Sequence, residues 1–303
     1  MDNLKKIKSI SIVNEVQELS PNTPDSGFPL DASVLKKAKE NLRKISVYRI
    51  SYKSNAHNVI GFLIEPKKGK NLPCIIWNRS GSNEFGAIRP QYLFTNHLAQ
   101  LALAGYVVIT TQYSGNGGSE GKDEMGGADV NDILGLYTIL KNYYKVDKKR
   151  IGMYGISRGG MMALIILSKV NWLRALVLIS PLTNLLSSLK QRPEMKKIFK
   201  NMFGGSKKDL IKRSPVYWVN KLNKKAPILI MQGTADWRVD ISDTFEIAKK
   251  MYKEKIPFRL LAYEGDDHAL TINKKSANQN TIEWFDRFVK NSEQLPLLKK
   301  HGF

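Results

Sequence analysis

Three residues able together to carry acyl transfer stand far apart in this chain: a serine, an aspartate and a histidine. The serine is Ser157, within Gly155-Ile156-Ser157-Arg158-Gly159, which fits G-x-S-x-G. A hydroxyl nucleophile stands exposed on a sharp, strained turn from strand to helix, and small flanking residues let the two backbones pass close by. "RIGMYG" before it reads as a strand and "SRGGMMALIILSKV" as a helix. The amide of Arg158 then opens that helix, where the helix dipole favours a forming oxyanion.

A serine hydroxyl needs a base. The chain has four histidines. His57 falls in a hairpin turn, His97 inside an amphipathic helix, and His301 almost at the end of the chain. His268, in "YEGDDHAL" just after the last expected strand, is left as the base. The acid should follow the preceding strand. "ILIMQGTADWRVD" offers Asp236 and Asp240. Asp236 comes directly off the strand end, where sheet-fold sites gather. Asp240 opens the next helix as a cap and is the second choice. The order Ser, Asp, His is that of an α/β-hydrolase.

The elements that must position these residues alternate. A polar helical pattern, "DASVLKKAKENLRK" with Asp31 as cap, follows a proline-rich stretch, "SPNTPDSGFP". Two alternating segments, 47–52 and 59–65, read as an antiparallel hairpin. Strands are then expected at 74–77, 106–113, 150–155, 173–180, 226–233 and near 257–263. Helical patterns lie between them, and "NTIEWFDRFVKN" closes the chain. Alternation of this kind implies an α/β fold: a mostly parallel central sheet with helices on both faces and the antiparallel hairpin at one edge. Residues 1–45 are expected to form an N-terminal extension packed on the core, and 46–303 the catalytic domain. Residues 182–222, rich in Lys, Ser and aromatics, are expected to form a small helical cap within it.

Composition narrows the class. The hydrophobic fraction is 42%, enough for a sizeable core. No apolar run reaches the roughly 18 residues of a membrane span, and no apolar stretch near the start reads as a secretory signal. One cysteine, Cys74, rules out an internal disulfide framework, so a cytoplasmic setting is expected. The net charge is +21, from 48 Lys+Arg against 27 Asp+Glu, which raises nucleic acid as a partner. The lysines fall on many separate loops and helices, so a solvated basic surface is the preferred reading. Neither nucleic acid nor membrane is expected as a partner. No His/Cys/Asp/Glu group has metal-ligand spacing, so no metal and no cofactor are expected.

With those residues in view, the chain resembles an α/β-hydrolase, and more narrowly the catalytic domain of the prolyl oligopeptidase family. The resemblance covers about residues 45–292. It rests on "YGISRGGMMAL", "SPVYW", "QGTADWRV" and "YEGDDHAL", and on "QYSGNGGSEG" followed by "GGADVND". It implies Ser157 as nucleophile, Asp236 as orienting acid and His268 as general base. It also implies a second oxyanion donor from a backbone N–H of Arg79 or Ser80, beside that of Arg158. Such peptidases usually carry a β-propeller, and the residues before the hydrolase pattern are too few for one. "WNRSGSNEFG" stands where the family often shows His-Gly-Gly or a tyrosine. "PLTNLLSSL" lacks the aromatics of a proline pocket.

Phe85, Trp237, Arg158 and Tyr113 are the candidates for holding substrate, the aromatics as an apolar pocket. Arg158 and Arg79 offer bidentate donors to a carboxylate, or pair with acids such as Asp129 or Glu84. Tyr217 and Trp218 fit the pocket or the core equally. "GNGGSEGK" fails the phosphate-loop spacing and reads as a structural loop. The expected substrate is a small ester or a short peptide. The rival readings are an acyl hydrolase without peptidase activity, a non-catalytic binding module of the same fold, and a nucleic-acid-binding protein.

Overall fold

The first helix and strand have almost no sequence signature. In the computed structural model, which describes residues 3–21, 31–299 and 301–302, the chain begins with α1 (Asn3–Lys8) and β1 (Val13–Glu18). The pairing of β1 shifts register between Val13 and Glu15. That irregularity breaks the period-two alternation by which a strand is recognised. The proline-rich stretch expected next lies largely outside the described residues.

The chain divides into two compact units, one up to Ile151 and one from Gly152. In the first, α2 (Ala32–Asn41) is capped by Asp31, whose carboxylate accepts from Ser33 N at 2.7 Å, as expected. Next come β2 (Ile45–Ser54) and β3 (His57–Pro66), paired antiparallel through a turn at Asn55-Ala56. Asn55 has φ 51°, the left-handed conformation that tight hairpins use and that Asn tolerates. Then follow β4 (Leu72–Asn78), α3 (His97–Leu103), β5 (Val107–Thr111), α4 (Val130–Asn142) and β6 (Val146–Ile156). The strand order is β1-β2-β3-β5-β4-β6. Strands β4 and β5 are parallel, and β3 is antiparallel to β5. Every residue of β5 is buried, as an interior strand requires.

A buried ion pair fastens α1 to this unit. Glu65 is fully buried and accepts from Lys145 Nζ at 2.8 Å, Tyr143 OH at 2.7 Å and Asn3 Nδ2 at 3.1 Å. Tyr144 OH donates to Asn3 Oδ1, and Lys6 Nζ sits 3.7 Å from the Tyr144 ring centroid. Burial raises the Glu65 pKa above the ordinary value, and the Lys145 and Tyr143 bonds offset that only in part.

The second unit starts with the end of β6. It adds α5 (Arg158–Leu167), β7 (Leu173–Ile179), α6 (Leu185–Gln191), α7 (Met195–Phe203), α8 (Lys207–Lys212), β8 (Ile228–Gly233), α9 (Ile241–Lys253), β9 (Phe258–Tyr263) and α10 (Lys274–Phe285). Its strand order is β6-β7-β8-β9, with β7, β8 and β9 parallel. All of β8 is buried, whereas β9, at the edge, is half-exposed. The fold is thus α/β with a mostly parallel sheet, antiparallel strands at its N-terminal end and helices around it.

The closing helix begins at Lys274, several residues before the expected start. Its first turns, "KKSANQ", bury only Ala277 and so show no apolar period. Among the described residues no helix is long and apolar enough to cross a membrane.

Replacing Lys145 by Met would leave Glu65 buried without its cation. The change should cost about 3–5 kcal/mol of stability, read as a shift in the urea unfolding midpoint.

Candidate active site

Ser157 stands where β6 turns into α5, with φ 54° and ψ −117°. A non-glycine residue held at positive φ costs of order 1–3 kcal/mol and persists only where its surroundings enforce it. Here the backbone does so. Ser157 N donates to Ile179 O at 2.8 Å, and Ser157 O accepts from Gly160 N, Met161 N and Leu182 N at 3.0–3.2 Å. A serine at a helix start normally caps the first turn with its own hydroxyl. Ser157 makes no such bond, which leaves Oγ for chemistry.

The glycines around it are steric necessities. A Cβ on Gly155 would lie 2.3 Å from Gly159 O, and one on Gly160 would lie 2.8 Å from Pro181 Cβ. All ten residues of α5 are buried, so the helix has no room to move away. Arg158 opens α5 and is 1% exposed.

Asp236 follows β8 and is surrounded by donors. Its Oδ1 accepts from Arg238 N at 2.8 Å and Val239 N at 3.1 Å. Its Oδ2 accepts from Gln232 Nε2 at 2.8 Å and pairs with His268 Nδ1 at 2.7 Å. Burial would raise the Asp236 pKa, but the bond and charge of His268 and the Val239 and Arg238 amides outweigh it and hold the carboxyl below its ordinary value. An ionised Asp236 makes His268 Nδ1 the donor and leaves Nε2 as the basic nitrogen. Asp240, the second choice, accepts from Ser242 N at 2.8 Å and caps α9.

The loop bearing His268 is built by two acids. Asp266, fully buried, accepts from the amides of Asp267, Ile272 and Asn273 and from Asn273 Nδ2 at 2.9–3.1 Å. Asp267 accepts from Ala269 N, Thr271 N and Thr271 Oγ1. Three bonds lace this loop to the Asp236 loop: Thr234 N to Tyr263 O and Ala235 N to Asp266 O at 2.9 Å, and Gly265 N to Thr234 Oγ1 at 2.8 Å. The contact is so close that a Cβ on Gly233 would fall 2.3 Å from Asp266 O and 2.5 Å from Asp267 O.

The structure therefore joins Asp236 to His268, and carries Ser157, Asp236 and His268 at the carboxyl ends of β6, β8 and β9. It forms no hydrogen bond between Ser157 Oγ and His268. Hydrogen bonds of this kind are often long in an unliganded site and tighten on substrate. Sequence reasoning missed Gln232, whose side chain holds Asp236 while Thr244 Oγ1 donates to its Oε1 at 3.1 Å. The available signal was an amide side chain ending a buried strand, which must find partners.

The other candidates are placed as follows. Trp237 is 66% exposed, with Arg192 Cζ 5.1 Å and Arg238 Cζ 4.6 Å from its ring centroid. In the first unit Phe85 is 64% exposed and Ser80 is half-buried. Arg79 is fully buried: its guanidinium donates to Gln112 O, Asn83 O, Phe85 O and Asn116 Oδ1. Tyr113 is fully buried, and its hydroxyl donates to Arg79 O at 3.2 Å. These two side chains brace the loops at 79–86 and 112–116, a job the substrate-binding expectation did not include. Tyr217 is 45% exposed, and Trp218 Nε1 donates to Ile211 O at 3.2 Å.

Among known proteins, a family model described as the prolyl oligopeptidase family matches residues 92–292. The uncharacterized peptidase YtmA of Bacillus subtilis (strain 168) is 26% identical over 252 residues, 82% of this chain and 94% of that protein. The acylaminoacyl peptidase of Pyrococcus horikoshii superposes with a TM-score of 0.75 at 20% identity, over 89% of this chain and 45% of that one. The chain thus spans under half of that enzyme. The Pyrococcus furiosus esterase Pf2001 superposes with a TM-score of 0.66 at 17% identity, over 83% of this chain and 93% of that one.

Gly233→Ala should push the His268 loop off the end of β8. Misplacement by about 1 Å costs on the order of 10²-fold in rate, to be read as kcat/KM on a folded variant. Asp236 gives a pH prediction. Its lowered pKa means that the stability it contributes is full above the unfolded value of about 3.9 and is lost as pH falls through the folded one. Asp236 thus stays charged at neutral pH, and the stability lost on Asp236→Asn, read as the shift in the urea unfolding midpoint, should shrink only in acid, below about pH 4. Asp236→Asn should lower kcat by about 10³–10⁴.

Proposed function

The chain belongs to the prolyl oligopeptidase family and is a serine hydrolase, and from that premise we propose that it cleaves a small ester or a short peptide through an acyl-enzyme on Ser157. The observation carrying this reading is the His268 Nδ1–Asp236 Oδ2 bond at 2.7 Å, made by a carboxylate that three other donors hold in place. His268 Nε2 takes the Ser157 proton as Oγ bonds to the substrate carbonyl carbon. The imidazolium then gives that proton to the leaving amine or alcohol. In the second half, water loses a proton to Nε2, attacks the acyl carbon, and Ser157 leaves with that proton. Asp236 holds the tautomer and stays ionised throughout. The Arg158 amide, at the positive end of α5, supports one oxyanion contact. A second, from the amide of Arg79 or Ser80, rests on the family resemblance.

Two supports point to different leaving groups. The peptidase label on the Bacillus subtilis relative, matched over 94% of its length, favours a peptide bond. The Pyrococcus furiosus neighbour, matched over 93% of its length, is an esterase and favours an ester. Residues 182–222, which hold α6–α8, belong to this reading as a cap. So does a cytoplasmic setting, supported by a lone buried cysteine, Cys74.

A fluorophosphonate probe should label the wild type on Ser157 and leave a folded Ser157→Ala unlabelled. A folded wild type that resists both this probe and a smaller phosphonate would overturn the reading. Hydrolysis of p-nitrophenyl esters against short peptides then separates the two leaving groups.

A further inference from the structure

The segment joining β7 to β8 holds far more positive charge than its length accounts for. Residues 185–213 contain seven lysines and two arginines against only Glu194 and Asp209, a third of the chain's +21. Its inward side is Leu185, Ser188, Phe199, Met202 and Leu210. Lys190, Lys196, Lys197, Lys200, Lys207, Lys208 and Lys212 are all exposed. Both acids are already committed. Glu194 pairs with Arg192 at 3.1 Å, and Asp209 with Arg213 at 4.0 Å and with Ser206 Oγ at 2.6 Å. Among the described residues none of the seven lysines enters an ion pair. A concentration of unpaired like charge weakens a fold through self-repulsion and raises the local concentration of anions.

This surface is attached to the catalytic loop. Arg192, at the end of α6, lies with its Cζ 5.1 Å from the Trp237 ring centroid, within cation–π range. Trp237 directly follows Asp236. Among the described residues the one side-chain hydrogen bond of Arg192 uses Nε, so its terminal nitrogens keep their donors for a carboxylate.

We propose that residues 185–213 select anionic substrates: short peptides rich in Asp and Glu, gathered by the lysines and held by Arg192 beside Trp237. The proposal rests on the hydrolase reading of Ser157 and names its substrate class. An acidic peptide is favoured over nucleic acid because the charge is tied through Arg192 and Trp237 to the loop of the triad acid.

The test compares matched fluorogenic peptides carrying Glu or Gln, with a neutral p-nitrophenyl ester and fluorophosphonate labelling run alongside. Glu peptides should exceed Gln peptides in kcat/KM by about tenfold at low salt. The gap should close toward 1 M salt, where screening shortens to about 3 Å. The triple variant Lys196→Gln, Lys197→Gln, Lys200→Gln should bring the ratio toward one, and so should Arg192→Gln. The equal charge change Lys36→Gln, Lys37→Gln, Lys39→Gln on α2 should not. Equal rates for both peptides, a preference indifferent to salt, or ester cleavage with neither peptide touched would overturn the proposal. RNA retention without any preference for Glu would overturn it as well and give the surface to nucleic acid. An ester left uncleaved together with an unlabelled Ser157 would instead sink the Ser157 reading, and this proposal would fall with it.

Discussion

One carboxylate organises the second half of this molecule. Asp236 is taken out of water, which by itself disfavours its charge. The two amides of its own turn, Gln232 from β8 and His268 from the next loop restore the balance in favour of the anion. Because all four donors converge on one group, the positions of three segments are coupled. A shift in β8, in the turn after it or in the His268 loop breaks at least one bond to a buried charge, and such a charge is costly to leave unpaired. That coupling is why the imidazole has one orientation and one tautomer.

Close backbone contact does the remaining positioning. The elbow at Ser157 and the seam between the Asp236 and His268 loops share one device: a glycine where a Cβ would strike a carbonyl oxygen at 2.3 Å. At the elbow it lets a strained serine stand between a strand and a wholly buried helix. At the seam it lets two loops share hydrogen bonds instead of side-chain packing. Both arrangements are rigid because interiors at this density have no slack to relax into.

The first half uses buried charge differently. Glu65, paired with Lys145, holds Asn3 of α1 to the sheet, and Arg79 ties its own loop to neighbouring carbonyls. The candidate groups of the second half, Ser157, Asp236 and His268, stand instead at the carboxyl ends of their strands, where loops can be aimed without disturbing the ladder.

How much was legible in the sequence follows from which interactions are local. G-x-S-x-G between a strand and a helix, the single suitably placed histidine and an aspartate off a strand end are all short-range patterns. So are the hairpin and the Asp31 cap, and together they determined the α/β class and the three candidate residues. What escaped was long-range or masked by geometry. The bulge in β1 removed its alternation, and the polar first turns of α10 concealed its start. The roles of Gln232, Gly233 and Asp266 exist only because β8 and the loop after β9 are neighbours in space. The burial of Tyr113 and Arg79, and the standing of 185–213 as one exposed basic surface fastened to Trp237, likewise needed tertiary structure. Sequence spacing carries the period of an element, but not the partner that its side chains and carbonyls will meet.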